Sequence, residues 1–330
     1  MNPYNFIPLP EGEPDRRPPV RHDRFTGYAG EFQITLRSLS PIIVCSGRDQ
    51  GLPLSGRREE KERYFIPCTT IKGMLRNIYE IIEGGCLRLT QQSNLRTSME
   101  KNYGGCESKD YLCPSCRVFG MLHKGEVYQG NVSPSDLIGP IARSIPAETK
   151  LEVTVGRPKP EHESFYRKEG KLRGRKGYYH QEKHVQGSLQ TKSVHPLPPE
   201  TIFQGRVSFE NLTLRELTLL YYCLVLEEGL AHKIGFGKAA GLGSAVVQVS
   251  SMKISDMGKR QHFKINWLDS LPSDSQGILD SLKNRTDPTI QTFRKIYSIR
   301  NVQGKRYAYP SYEWFKNNPQ SSLEEFNGIS

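Results

Sequence analysis

The chain has 330 residues, with 46 Lys and Arg against 35 Asp and Glu, a formal net charge of +11. It is long enough to bury a full core and to hold roughly two to three structural units. No apolar run reaches membrane-spanning length, and Met1–Arg21 is polar and proline-rich rather than a secretory signal, so membrane and secreted classes are excluded and a cytoplasmic protein is expected. The cationic excess directs attention to a polyanion, most often nucleic acid, although such charge also simply solubilises a surface.

Residues 1–30 place six prolines among charged side chains with no periodicity that buries a face, so a mobile N-terminal arm is expected. From Glu31, Phe32, Ile34 and Leu36 alternate with Gln33, Thr35 and Arg37 as a strand does, and Pro41-Ile42-Ile43-Val44 continues its apolar face. The glycine-punctuated loop Ser46–Arg58 follows, with Arg48 beside Asp49, its only acidic residue. Such a carboxylate can hold a divalent ion or orient a ribose hydroxyl, and more commonly it forms a turn. Tyr64-Phe65-Ile66 ends a strand, and Thr69 or Thr70 offers an oxygen to cap a helix. That helix runs through Ile71, Met74, Leu75, Ile78 and Tyr79 to the Glu83-Gly84-Gly85 stop. Lys72 and Arg76 share one of its faces, so amides, hydroxyls and cations meet where phosphate oxygens would be welcome. A capped core helix with solvated cations has the same sequence.

Residues 84–126 have little regularity and contain the cysteine cluster. Seven cysteines make a disulfide framework unattractive and point to a reducing compartment. Cys113-Pro-Ser-Cys116 with Cys106 supplies three thiolates of a structural zinc site; Cys86 or His123 is the fourth ligand. A short strand at Val127–Val132 precedes a long excursion, 133–200, whose segment 156–183 interleaves Arg157, Lys159, Arg173, Arg175 and Lys176 with Tyr178, Tyr179 and His180. Cations for phosphates and rings for bases are what single-strand binding requires. A strand at Thr201–Phe209, a helix Leu214–Gly229 capped by Thr213, and a strand Ser244–Ser250 complete the unit. Between the last two lies Lys233-Ile-Gly-Phe-Gly-Lys238-Ala-Ala-Gly-Leu-Gly243, which lets a nucleic-acid backbone come close or packs as a tight connection. The order strand, helix, strand, strand, helix, strand is the α+β, ferredoxin-like (RRM-like) β-α-β-β-α-β pattern with two insertions. Residues 251–330 form a C-terminal extension with one helix at Ile278–Lys283 and an aromatic end.

Three motifs in order resemble one family. Tyr64-Phe-Ile-Pro-Cys-Thr-Thr-Ile-Lys-Gly-Met-Leu-Arg76 resembles the I-P-G-S-S-[IL]-K-G-x-[IL]-R signature of the RAMP superfamily of CRISPR-associated proteins, with Cys68 where glycine is common. Cys113-Pro-Ser-Cys-Arg-Val-Phe-Gly120 is similar to its C-x-x-C-R-[LV]-F-G run, and Lys233–Gly243 to its glycine-rich loop. Arg157-Pro-Lys-Pro and Leu172-Arg-Gly-Arg-Lys-Gly-Tyr-Tyr-His180 resemble a branch related to type III effectors. The resemblance covers about residues 31–250. It implies an RNA-recognition fold with a zinc-bearing insertion (84–126) and a thumb-like insertion (133–200), in a subunit that works in antiviral defence. Its expected partners are CRISPR RNA, complementary target RNA and other effector subunits. It also implies that Asp49 supports endonuclease cleavage of target RNA with Mg2+ or Mn2+. Expected RNA contacts are Arg48, Thr69, Thr70, Lys72, Arg76, Arg157, Lys159, Arg173, Arg175, Lys176, Tyr178, Tyr179, His180, Lys233 and Lys238. The alternatives are a non-catalytic scaffold and a metal-independent CRISPR-RNA-processing endonuclease using His180 or His184.

Overall fold

A computed structural model describes residues 2–46, 51–58, 60–88, 97–151, 162–181, 192–259, 265–300, 302, 305 and 307–326. Asp49, Arg48, Arg157, Lys159 and His184 lie outside them. After the strand β1 (Tyr4–Ile7), the chain forms β2 (Tyr28–Ser38), in which Phe32, Ile34 and Leu36 point inward as the period-2 pattern requires. A hairpin of β3 (Ser55–Arg58) and β4 (Lys61–Ile66) leads into α1 (Cys68–Glu83). Helix α1 buries Ile71, Met74, Leu75, Ile78 and Tyr79 and stops at Gly84, whose left-handed φ of 69° suits glycine.

The predicted threonine cap is not used. Pro67 occupies the N-cap, and the Cys68 amide instead donates to Asp136 Oδ1 at 2.9 Å. A carboxylate at a helix N-terminus gains from the macrodipole as well as from the hydrogen bond. It reaches α1 from a link between two distant strands, a tertiary contact that local sequence does not announce.

The insertion contains α2 (Pro114–Phe119) and a hairpin of β5 (Gly120–His123) and β6 (Glu126–Gln129). Then come β7 (Val132–Pro134), β8 (Leu137–Ile141), β9 (Arg175–Tyr178), β10 (Ile202–Leu212), α3 (Leu214–Val225), β11 (His232–Lys233) and β12 (Ser244–Asp256). Thr213 caps α3 in a capping box with Glu216, as expected. The last strand runs six residues beyond its predicted end, its inner face continued by Ile254.

The main sheet is antiparallel, in the order β11-β12-β2-β10-β8-β4-β3, with β7 also on β10. Ile34 stands opposite Gly205 on one side and Val249 on the other, which fixes the register of the centre. Helices α1 and α3 touch each other, and both share one apolar core with the inner sheet face. Phe32 meets Phe209 at 5.0 Å and Tyr221 at 6.0 Å between ring centroids. Gln204, Arg206 and Gln248 on the opposite face are exposed.

Two expectations change. The N-terminal arm is not a loose tail: β1 pairs antiparallel with β9, and Tyr4, Ile7 and Leu9 are buried. Four apolar side chains among prolines are too few to show a period, yet enough to fill a strand-sized gap. Within the thumb-like insertion (133–200), β7 and β8 belong to the main sheet, and residues 162–181 pack inward as well, since β9 pairs with β1 and both strands meet α5 (Pro288–Tyr297). The C-terminal region adds α4 (Ser275–Lys283), α5 and α6 (Tyr312–Asn317), and Phe293, Ile296 and Tyr297 join the core that begins at Ile7. Among the described residues, no helix is long and apolar enough to cross a membrane.

Candidate nucleic-acid interface

The ridge of α1 that faces away from the core carries Thr70, Gly73 and Asn77, which helical spacing puts on one stripe. Opposite it stand Lys176 and Tyr178 of β9, and the loop Ile234–Gly243 closes one side with Lys238. Tyr297 of α5 closes an end. These elements enclose a groove of about 280 Å³ whose lining, among the described residues, includes Lys176, Lys233 and Lys238 and no carboxylate. Three parts of the sequence that looked suited to phosphate thus meet in one place.

Glycine at position 73 has no internal justification. A Cβ built there would meet nothing within 4 Å, while glycine inside a helix costs about 0.5–1 kcal/mol relative to alanine. The groove above it is what a methyl group would narrow. Gly73→Ala should therefore raise the melting temperature of the free chain and weaken RNA binding. A variant that is more stable and binds equally well would remove Gly73 from the interface. The loop glycines differ: a Cβ at Gly235 would lie 2.2 Å from the Ile43 carbonyl oxygen, so packing within the chain demands that glycine.

Burial sets the electrostatics. Lys176 Nζ sits 3.6 Å from the centroid of the Tyr4 ring and 5.1 Å from that of Tyr178, and burial, with Lys238 nearby, pushes it down to about 8. Lys233 donates to the carbonyls of Gly241 (3.3 Å) and Leu242 (3.0 Å), and burial brings it to about 7. Lys238 donates to the Gly235 carbonyl at 2.6 Å and is also lowered by burial. Lys72 is lowered by burial and then by Arg76. Cations held without a countercharge favour an incoming anion.

The pH dependence has opposite signs for folding and binding. Between about pH 7 and the usual lysine range near 10.5, the unfolded chain holds a proton on Lys233 that the folded chain has released, so stability of the free protein rises with pH through this window. An anion such as RNA would be held by the protonated amines, so its binding should fall as pH passes about 8, where Lys176 loses its charge. Melting curves and RNA titrations at about pH 6.5 and about pH 9 would check both; parallel trends would contradict the assignment.

Other predicted contacts are turned inward. Arg76 Nε donates to Glu80 at 2.8 Å and its Nη2 to Cys116 Sγ at 3.1 Å. Arg175 donates to Glu80 at 2.7 Å, and Arg173 to Glu324 at 2.7 Å. Tyr179 is buried, with its ring 5.7 Å from that of Tyr307. His180 is enclosed between Ser244 Oγ (2.9 Å) and the Ala231 carbonyl (3.1 Å), and burial pushes it down to about 3, so it stays neutral. A neutral imidazole with both nitrogens engaged is not presented to a substrate. Thr69 is exposed at the start of α1, outside the groove lining. Asn77 was legible from its spacing to Thr70 and Gly73; Tyr297, far along the chain, was not.

On the other face of α1, four sulfurs converge. Cys86, Cys106, Cys113 and Cys116 are buried, with their Sγ atoms all within 4.8 Å of one another. Cys86 and Cys116 are 3.7 Å apart, close to the ~3.8 Å edge of a tetrahedron with ~2.3 Å metal–sulfur bonds. His123, the other candidate for the fourth position, is not part of this group. The Cys113 amide donates to Cys106 Sγ at 3.2 Å, and the Cys86 amide reaches Cys113 Sγ at 3.5 Å. Hydrogen bonds from the neighbouring thiols of Cys106, Cys116 and Cys86 hold Cys113 well below the ordinary thiol range. The set could hold a metal such as zinc, in a closed, structural arrangement.

The family model of the RAMP superfamily matches residues 35–246. Among solved structures, a chain of a "Type IV-B CRISPR Complex" is similar at 14% identity, covering 71% of this chain and 93% of that chain with a TM-score of 0.38. The crystal structure of Thermofilum pendens Csc2 is similar at 13% identity, covering 85% of this chain and 90% of that chain with a TM-score of 0.37. No curated protein sequence matches.

Proposed function

The chain belongs to the RAMP superfamily, and from that premise we propose that it is a CRISPR-RNA-binding subunit of a type III-like RNA-guided effector, acting with other effector subunits on complementary target RNA. The observation that carries this reading is the groove over Gly73, lined by Lys176, Lys233 and Lys238 and, among the described residues, by no carboxylate. Phosphates of an RNA strand would take the amines, and the Tyr178 ring offers a face to a base. In the sheet, β12 neighbours β2, β2 neighbours β10, and β10 neighbours β7 and β8; this order supports a ferredoxin-like core. On this reading residues 31–250 form the RNA-binding unit, residues 1–30 and 251–330 brace it, and zinc fills the four-cysteine site.

Target cleavage through Asp49 with Mg2+ or Mn2+ is part of the proposal, and Asp49 lies outside the described residues. The decisive experiment is purification of the full chain followed by sequencing of bound RNA. Uniform RNAs sharing a repeat-derived end support the assignment, and nucleic-acid-free protein with no affinity for RNA would end it. Asp49→Ala should abolish cutting and spare binding. Unchanged cutting would remove Asp49, and an inert wild type would leave a non-catalytic scaffold.

A further inference from the structure

Beside the four cysteines lies a buried carboxylate whose partners reach both their sulfurs and the strand that lines the groove. Glu80 is on α1, its side chain 11% exposed. Its Oε1 accepts from Arg76 Nε (2.8 Å) and from Ser115 Oγ (3.2 Å), and its Oε2 from Arg175 Nη1 (2.7 Å). Each partner is itself anchored at the cysteines. Arg76 holds Cys116 Sγ and the Gly120 carbonyl, Ser115 lies between Cys113 and Cys116, and Arg175 holds the carbonyls of Gly85 and Cys86. Space around the carboxylate is tight, since a Cβ on Gly85 would lie 2.6 Å from Glu80 Cγ.

Charge explains why this cluster needs the cysteines. Two guanidinium groups against one carboxylate leave a buried excess of positive charge, which is costly unless compensated. A divalent ion held by four thiolates carries a net charge of about −2, and Arg76 touches it directly. Geometry then carries the effect onward. Along β9 successive side chains point to opposite sides, so Arg175 reaches toward the cysteines while Lys176, the next residue, lines the groove.

We propose that Glu80 is a positioning residue that links metal binding at Cys86, Cys106, Cys113 and Cys116 to RNA binding in the groove. Metal holds Cys116 and Arg76, Arg76 and Arg175 share Glu80, and Arg175 fixes the strand that presents Lys176 and Tyr178. This inference rests on the groove being the RNA site.

The test uses the full-length chain, with Zn2+ or stripped by a chelator, and a labelled single-stranded oligouridylate. Removing zinc should weaken wild-type binding about tenfold, a coupling of ordinary size. Glu80→Gln, which keeps the shape and loses the charge, should retain one zinc per chain, bind RNA about tenfold more weakly, and lose little more on chelation. A fold-stabilising role alone would lower affinity without changing the ratio between loaded and stripped protein. Equal RNA affinity of loaded and stripped wild type, both with native near-ultraviolet circular dichroism, would overturn the link. Should the stripped chain unfold, zinc-loaded Glu80→Gln decides: wild-type affinity, or a loss matched by a lowered melting temperature, rejects the proposal, and the expected loss with zinc retained and a wild-type melting temperature supports it. Lys176→Ala run alongside separates the failures, because unaltered binding there means that the groove is not the RNA site.

Discussion

Lys176→Ala should weaken binding of single-stranded RNA by about tenfold to a hundredfold, the range expected when one charge-assisted contact is lost. The amine lies in a groove with two other lysines and, among the described residues, no carboxylate, and it sits against the rings of Tyr4 and Tyr178. On the proposed reading its countercharge in the complex is a phosphate. The loss should be similar for all sequences, and the slope of log affinity against log salt should become shallower by about 0.7. Lys176→Met, which keeps the stem packed on Tyr4, should bind as poorly as the alanine variant. Lys283→Ala, on the exposed side of α4, should behave as wild type. Equal losses for Lys176 and Lys283 would mean that affinity reflects net charge alone.

The second large effect concerns the cysteines. Purified protein should contain one tightly held zinc, and Cys116→Ser or Cys113→Ser should lose it. Zinc contributes on the order of 10 kcal/mol to folding of small zinc-dependent peptides, and here the four sulfurs knit segments otherwise poor in regular structure. Loss should cost several kcal/mol, a fall in melting temperature of roughly 5–15 °C, with new protease cleavage concentrated in residues 84–126. A metal-free protein whose Cys116→Ser variant melts like wild type would leave four ordinary buried thiols.

How much of this was legible varied with the range of the interactions. The alternation of Phe32, Ile34 and Leu36 and the stripe on α1 mark core faces directly, because burial imposes their periods. Three of the four cysteines were fixed by spacing, and only the fold could choose Cys86 over His123. The segment around Leu172–His180 misled, because cations in sequence do not reveal their partners. Arg173 and Arg175 meet Glu324 and Glu80, carboxylates about 150 and 95 positions away, and only Lys176 and Tyr178 remain for the groove. Glu80 stood four residues after Arg76, a spacing that could have signalled their pairing. Arg48, Asp49, Arg157 and Lys159 fall outside the described residues.

The pairing of β1 with β9 sets a timetable for synthesis. Tyr4 is made about 170 residues before the lysine it faces, roughly 10–30 s at ordinary ribosomal speed. Tyr297, which closes the groove, comes more than a hundred residues later still. A nascent chain thus carries its cations for most of its synthesis without the pocket that organises them. On the proposed reading, selective RNA capture then begins only once the chain has passed Tyr297, and an mRNA close to the ribosome meets a growing chain that cannot yet grip it.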